Sequence, residues 1–581
     1  MWNTQFATQL TLVTTDLYPA SVKTANGVKW GYIDSRGQFR IPPQFDFAED
    51  FQSNGLAVVQ VGNRSGLIDR AGAFLVTPTY STITSFTEGR AQVVDDRGFQ
   101  VMDETGGIIT REPYDYIGMY QNGRALYADT DAQGRYLYGY LDRSGQEVIP
   151  RRYLSATDFL DGKAVAQVAE REYALIGRNG ERLQTYPYAY VGPLRDGLLP
   201  FSRSAGGPYG YLNETGAVVI EPRFAMAQPF ENGRAVVNTS TDPMRNQYGL
   251  IDQTGRFVIA PAYNDILLLG ESRVALGKAR KEDAPYVGSR YAIADTDGRI
   301  LSGFLYNDVG RFASGYASAS TDASTFFIDR RGNRAESFPA IAGGGTVAFT
   351  GNLIKAHVAQ RVSYYTRTGK LVWKQNTVIP LGRGYRVREE KYAPNPNYLV
   401  YYPQIEGMGS RQAEVNRRLR EMSQVKPIDP KAQLDYSYTG DFFVAFYRKQ
   451  LLVLELVGDH YAFGAAHGMP TRVHAHVDLE TGQFYSLQDL FLPDSGYVQV
   501  LSEIVGRQLK QNPAFSYVFP DAYTGIRPDQ PFYVKADALY LYFAPYDIAP
   551  YAAGFPTFRI PYREIRGIIN RSGSFWRSFH E

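Results

Sequence analysis

Four of the six histidines fall between positions 460 and 476: His460, His467, His474 and His476. A His-x-His pair on a strand points both imidazoles to one side, a spacing a metal ion can use, and Asp459 or Asp478 could add an oxygen ligand. The plainer reading puts His474 and His476 on an exposed strand face and His467 in a loop, and no ligand spacing in the chain is diagnostic. The expectation is no metal and no cofactor, with His460, His474 and His476 as the residues to watch. Two carboxylates for glycoside chemistry can meet from anywhere in a fold. The acids that stand out, however, are Asp34, Asp69, Asp142 and Asp252, which recur at one position of a turn that already accounts for them. Asp295-Thr296-Asp297-Gly298 faintly resembles a calcium loop, yet it repeats the same turn and lacks the rest of an EF-hand. No nucleophile elbow, P-loop, His-Glu-x-x-His or dinucleotide fingerprint occurs. The absence of cysteine excludes thiolate catalysis, disulfides, iron–sulfur clusters and cysteine-bound zinc. No catalytic residue is expected. Exposed tyrosines offer a different chemistry, stacking on rings and sugars. Most of the 44 tyrosines sit at repeated positions that packing explains, whereas Tyr546 and Tyr551, in a proline-rich segment, join His467 as candidates for a binding surface.

These residues belong to a chain of 581, too long for one hydrophobic core, so several domains or a repeat array must carry them. A hydrophobic content of 44% with 21% charged residues describes a folded protein. The 61 basic and 59 acidic side chains are mixed along the chain, with no basic block to displace counterions from nucleic acid, so nucleic acid is not an expected partner. No run of about 20 apolar residues occurs, so no membrane span is expected. Met1 to Leu17 lacks the basic start and apolar core of a signal peptide. The compartment stays open on this evidence.

The dominant signal is a repeat. Trp30-Gly31-Tyr32-Ile33-Asp34-Ser35-Arg36-Gly37 returns as Ser65-Gly66-Leu67-Ile68-Asp69 through Gly72, and again at Tyr138-Gly139, Tyr209-Gly210 and Tyr248-Gly249. The turn glycine recurs ten times, at Gly37, Gly72, Gly106, Gly145, Gly180, Gly216, Gly255, Gly298, Gly332 and Gly369. Asp-x-x-Gly between two apolar runs is a hairpin: the aspartate caps the turn with its side chain and the glycine takes the left-handed conformation. Each unit reads as Gly-Tyr-Ile-Asp, then a Phe-x-Ile strand ended by proline, then an Ala-Val-Val strand, with an aromatic such as Phe45, Tyr80 or Phe224 over the meander. Such a unit cannot bury its apolar face alone and must stack on its neighbours.

With ten copies over about 60% of the chain, this segment resembles the WG (KWG) repeat family, named for the pair seen here as Trp30-Gly31. Tyrosine replaces tryptophan in several copies, the fifth, eighth and tenth are degenerate, and worn copies near the C-terminal end would suit capping units. The resemblance implies an interaction scaffold rather than a reaction. Ten units exceed the roughly 4–8 blades of typical propellers, which favours an open, curved solenoid, with a closed propeller as the alternative. The expected fold class is thus mainly β, a tandem hairpin array followed by a smaller α+β domain. The expected boundaries are a lead-in over 1–27, the array over 28–375, a linker over 376–396 and the α+β domain over 397–581.

In that last domain, helical periodicity marks Arg411 to Met422 and Tyr497 to Leu509, among strand-like segments such as Tyr398 to Tyr402, Leu451 to Leu456 and Leu539 to Phe543. Tyr402-Pro403-Gln404-Ile405, Gly464-Ala465-Ala466-His467-Gly468, Asp478-Leu479-Glu480-Thr481-Gly482, Leu487-Gln488-Asp489-Leu490-Phe491 and the run from Phe543 to Gly554 occur in order. Together they resemble the paired domains of unknown function 3298 and 4163. That family includes the extracytoplasmic part of a bacterial anti-sigma factor that senses lysozyme and the accessory domain of certain peptidoglycan deacetylases. The resemblance implies a non-enzymatic, envelope-associated binding module, extracytoplasmic in place, with a protein or peptidoglycan ligand. The alternatives are a cytoplasmic protein–protein scaffold and a metal-dependent hydrolase built on the histidine cluster.

Overall fold

The computed structural model describes residues 16–242 and 244–580. Most of the segment read for leader character, residues 1–15, lies outside them. The described residues form two compact units, 16–21 with 30–374, and 22–29 with 375–580. The expectation of a mainly β tandem array followed by a smaller α+β domain holds. Among the described residues no helix is long and apolar enough to cross a membrane.

Among the described residues the first unit contains ten small antiparallel sheets of three or four strands. The second sheet, Phe47–Ala48, Ala57–Val61, Arg64–Ile68 and Phe74–Tyr80, shows the common plan. Its boundary is offset from the sequence unit. The Phe-x-Ile strand closes one sheet, and the chain then crosses to the next, so the Ala-Val-Val strand belongs with the Gly-x-Ile-Asp strand that follows it.

The turns behave as their chemistry requires. The Asp34 carboxylate accepts from the backbone N–H of Arg36 at 2.9 Å and Gln38 at 3.0 Å, and Gly37 donates to the Asp34 carbonyl at a φ of 82°. Asp69, Asp142 and Asp252 repeat the pattern before Gly72, Gly145 and Gly255, whose φ values are 83°, 76° and 82°. Although burial pushes the Asp34 carboxyl up, those N–H groups and the Arg40 guanidinium hold it below the ordinary carboxylate value. In the degenerate fifth copy Gly177 replaces the aspartate, and the Glu181 carboxylate accepts from Asn179 N–H instead.

Proline does not end the second strand as expected. Pro42 and Pro43 lie inside Phe39–Phe45, and Pro222 inside Val218–Phe224. The pairing jumps from Trp30↔Phe45 to Tyr32↔Ile41, so the strand bulges at its prolines, where no ladder N–H is required. The bulge also explains the glycine of the Trp-Gly pair. A Cβ on Gly66 would sit 2.6 Å from the Val76 carbonyl oxygen and 2.9 Å from Pro78 N, and Gly31, Gly139 and Gly210 meet their bulges in the same way.

The ends of the array meet. Tyr32, Tyr140 and Tyr211 each donate a phenolic hydrogen bond to the sheet that follows, at Glu49, Thr157 and Gln228. Tyr364, at the same frame position of the last sheet, donates at 2.9 Å to Pro19 in the first. Gly72 lies against Ile41 and Gly255 against Ile220 of the preceding sheet, while Gly37 lies against Val372 of the last. Tyr18, Ala20, Ile33, Leu353 and Tyr364 form one buried cluster. The open solenoid was the favoured arrangement and the closed propeller the alternative; these contacts are those of a ring. No sheet closes into a barrel; side-chain packing closes the ring. The tenth copy is therefore a joint between neighbours, where a capping unit was expected.

The second unit is built on a six-stranded sheet: β1 (Val378–Gly382), β2 (Tyr385–Asn395), β3 (Tyr398–Glu406), β4 (Tyr436–Arg448), β5 (Leu451–Ala462) and β6 (Met469–Asp478). The stretch 376–396, expected as a linker, supplies its first two strands. Only β3 and β4 run parallel, because α1 (Gln412–Met422) carries the chain back between them. One face of the sheet, with Leu452, Leu454 and Phe442, packs on Val415 and Leu419 of α1. The other, with Leu451 and Val453, packs on α2 (Tyr497–Gln511) and a three-stranded sheet of β7 (Phe532–Val534), β8 (Ala538–Tyr542) and β9 (Thr557–Pro561). Residues 22–29 count with this unit: Lys23 Nζ, buried, lies 2.5 Å from Glu389 Oε2 and 3.2 Å from Asp441 Oδ1.

Candidate functional site

Strand β6 alternates Arg472, His474, His476 and Asp478 on one face, and that face turns inward, onto the three-stranded sheet. The expectation that His474 and His476 lie on an exposed strand face is corrected here: the next sheet covers them. Each polar group but one finds a partner. Arg472 Nε lies 2.9 Å from Glu455 Oε1, His474 Nδ1 lies 3.1 Å from the Tyr542 hydroxyl, and Asp478 accepts from the Tyr485 hydroxyl at 2.9 Å. His476 is stacked on Phe532 at 4.2 Å with Phe575 at its edge, and neither ring nitrogen has a hydrogen-bond partner. Burial holds both imidazoles in the neutral form, lowering His474 to about 2 and His476 to about 3.

The strand spacing that suggested a metal does place the two rings on one side. One ring, however, is engaged by a hydroxyl and the other is enclosed by phenyl groups, so their lone pairs do not converge. His460 is on the opposite face of the sheet, stacked on Tyr436 at 4.6 Å. Among the described residues no group of three or more histidines, aspartates or glutamates is placed to share a metal ion.

The three binding candidates come together. His467, in the exposed loop between β5 and β6, stacks on Tyr551 with centroids 3.7 Å apart, and its Nε2 lies 3.3 Å from the Tyr546 hydroxyl. With Nδ1 donating to the Gly468 carbonyl at 2.9 Å, Nε2 is the acceptor for the Tyr546 O–H. Tyr546 is 51% exposed and its backbone is left-handed, at a φ of 70°. A bulky residue held there costs about 1–3 kcal/mol, which the surrounding contacts must offset. The arrangement suits stacking and hydrogen bonding to a partner.

Sequence reasoning missed a second concave feature on the other face of the same sheet. Tyr398, Tyr436, Tyr438, His460, Gln424 and Thr471 line a cleft of about 510 Å³. Tyr438 stacks on Tyr398 at 5.1 Å. The cleft depends on pairings such as Tyr438↔His460 and Tyr398↔Tyr438, for which the sequence carries no signal.

The WG-containing repeat model matches at residues 30–64, 66–96, 138–170, 209–239, 248–268 and 291–322, and the model described as Protein of unknown function (DUF3298) matches at 488–563. No curated protein matches the chain. Among solved structures, a DUF3298 family protein from Pseudomonas aeruginosa PAO1 is 21% identical, covering 35% of this chain and 98% of its own, at a TM-score of 0.27. A member of the same family from Bacteroides fragilis is 18% identical over 32% and 93%, at 0.23. BamB from Moraxella catarrhalis is 13% identical over 50% and 94%, at 0.28. Repeats and domain alike fit a non-catalytic binding or scaffold role. The chain carries WG-containing repeats in its N-terminal unit and a DUF3298 domain in its C-terminal unit.

Proposed function

We propose that the protein is a non-enzymatic binding protein whose C-terminal unit recognises a cell-envelope component, a protein or a peptidoglycan fragment, at the surface formed by His467, Tyr546 and Tyr551. The carrying observation is that this exposed aromatic group is held together by a 3.7 Å stack, a hydrogen bond and a left-handed backbone at Tyr546. Rigid aromatics lose little entropy on binding, and surfaces of this kind dominate recognition. The resemblance of the flanking motifs to a lysozyme-sensing family supports the choice of partner. The ring favours a second reading, a protein–protein scaffold inside the cell, because ten sheets present a wide and varied surface.

The test is calorimetric titration of the full chain with lysozyme, following lysozyme activity in the same samples, and with soluble peptidoglycan fragments. Saturable binding to one of them, weakened at least tenfold by Tyr551→Ala and by His467→Ala with unchanged circular dichroism, is the expected result. Absence of binding to both classes sinks the envelope reading and leaves the scaffold.

A further inference from the structure

The ring sheets are latched by a repeated arginine. Arg90, Arg124, Arg234 and Arg273 each donate Nε to a carbonyl in the turn of the following sheet, at Arg143, Arg178, Thr296 and Arg330. Two residues before the latch arginine, Glu88 and Glu271 make a second tie. Glu88 accepts from Gly123 N–H at 2.8 Å and pairs with Arg143 at 3.0 Å; Glu271 accepts from Gly315 N–H at 3.2 Å and pairs with Arg330 at 2.6 Å. At these two steps a turn arginine on one sheet is held by a carboxylate from the sheet before it.

The step from the fourth sheet (Tyr116–Ile117, Arg124–Thr130, Tyr136–Asp142, Glu147–Tyr153) to the fifth (Ser155–Ala156, Lys163–Ala169, Glu172–Gly177, Arg182–Tyr186) has the turn arginine without this tie. The turn arginine is Arg178, but the residue in the glutamate position is Asn122, in the same left-handed conformation as Glu88 (φ 54° and 53°). Among the described residues the Arg178 guanidinium has no hydrogen-bond or ion-pair partner. It borders a cleft of about 620 Å³ with Arg124 and Arg143. The two carboxylates there are already engaged, Glu88 by Gly123 and Arg143, and Asp142 by Ser144 N–H, Ser144 Oγ and Gln146 N–H. Burial and the charge of Arg178 push the Arg124 guanidinium down, against the opposing pull of the Asp142 carboxylate.

We propose that this cleft binds a phosphate group, which takes the place that a glutamate carboxylate occupies at the Glu88 and Glu271 steps of the ring. The planar fork of Arg178 and the side of Arg143 turned away from Glu88 offer donors to more than one oxygen, which a tetrahedral dianion can meet and a lone carboxylate cannot. The site lies in the N-terminal unit and is independent of the aromatic surface proposed above.

The test is calorimetric titration of the full chain with inorganic phosphate in chloride buffer at fixed ionic strength, with acetate and glycerol 3-phosphate as parallel probes. Saturable binding of phosphate at one site is expected, weakened at least tenfold by Arg178→Gln. Asn122→Glu supplies the missing carboxylate in a backbone conformation Glu88 already tolerates. It is expected to abolish phosphate binding while leaving the thermal midpoint unchanged or raised. Tighter binding of glycerol 3-phosphate identifies an esterified phosphate as the ligand, and tighter binding of inorganic phosphate identifies the free ion; each supports the site. No saturable binding, equal binding of acetate, or an Asn122→Glu variant that binds like the parent overturns it.

Discussion

His476 is buried against Phe532 and Phe575 with both ring nitrogens unpartnered, and His474 on the same strand face hydrogen-bonds only Tyr542. Because their folded-state pKa values lie below the ordinary histidine value of 6.5, the unfolded chain takes up protons that the folded unit refuses. Their contribution to stability is therefore whole above about pH 6.5 and falls as the pH drops toward 3, by up to roughly 1.4 kcal/mol per pH unit for each ring. Glu455, Arg472 and Asp478 share this face and shape the whole profile, so a single substitution isolates the histidine. His476→Phe, which keeps an aromatic between the two phenyl rings, should leave stability at pH 7.5 little changed and reduce the loss between pH 7 and pH 5. Urea midpoints of the C-terminal transition measure it, and a variant as acid-sensitive as the parent would refute this account.

At the scale of the element, two glycines of each repeat have different reasons to exist. The turn glycine was legible in the sequence, because Asp-x-x-Gly demands a left-handed residue and Gly37, Gly72 and Gly255 have φ values of 82°, 83° and 82°. The frame glycine is set by a contact across strands, the bulge of the next strand lying over it. For Gly66→Ala, whose Cβ would lie 2.6 Å from the Val76 carbonyl oxygen, backbone must move. The expected cost is at least about 2 kcal/mol. A thermal midpoint equal to the parent's would show that the bulge yields freely. The same local blindness explains residues 376–396. β2 is polar on one side, with Arg386, Arg388 and Glu390, and nothing in the segment itself announces the strands that β1 and β2 pair with.

For the molecule as a whole, closure changes how the array holds together. In an open stack the last unit has one neighbour and frays, whereas in a ring each sheet has two. Tyr364 and Tyr211 are both fully buried at the same frame position and each hydrogen-bonds the adjoining sheet. Tyr364→Ala and Tyr211→Ala should therefore destabilise the N-terminal unit alike, by about 3–5 kcal/mol and within about 1 kcal/mol of each other. Denaturant unfolding decides it; a much smaller loss for Tyr364→Ala would mean that the last sheet frays and the ring opens.

What the sequence determined by itself is local and periodic: the ten turns, the strand–turn–strand rhythm, the two long helices of the C-terminal unit and the lack of any nucleophile–base motif. Each rests on a residue's own conformational preference or on spacing within one element, and neighbours in the chain suffice to read it. The tertiary structure decided what depends on residues far apart in sequence. It brought Pro19 to Tyr364, and it turned His474 and His476 inward beneath the strands from Phe532 to Pro561. It gathered His467 with Tyr546 and Tyr551, and it left Arg178 beside Asn122, where Arg143 and Arg330 meet glutamates. The physical reason is the same in each case. Alternation along a strand says which side chains share a face, but only the packing of another sheet on that face decides whether they meet water, a phenyl ring or an opposite charge.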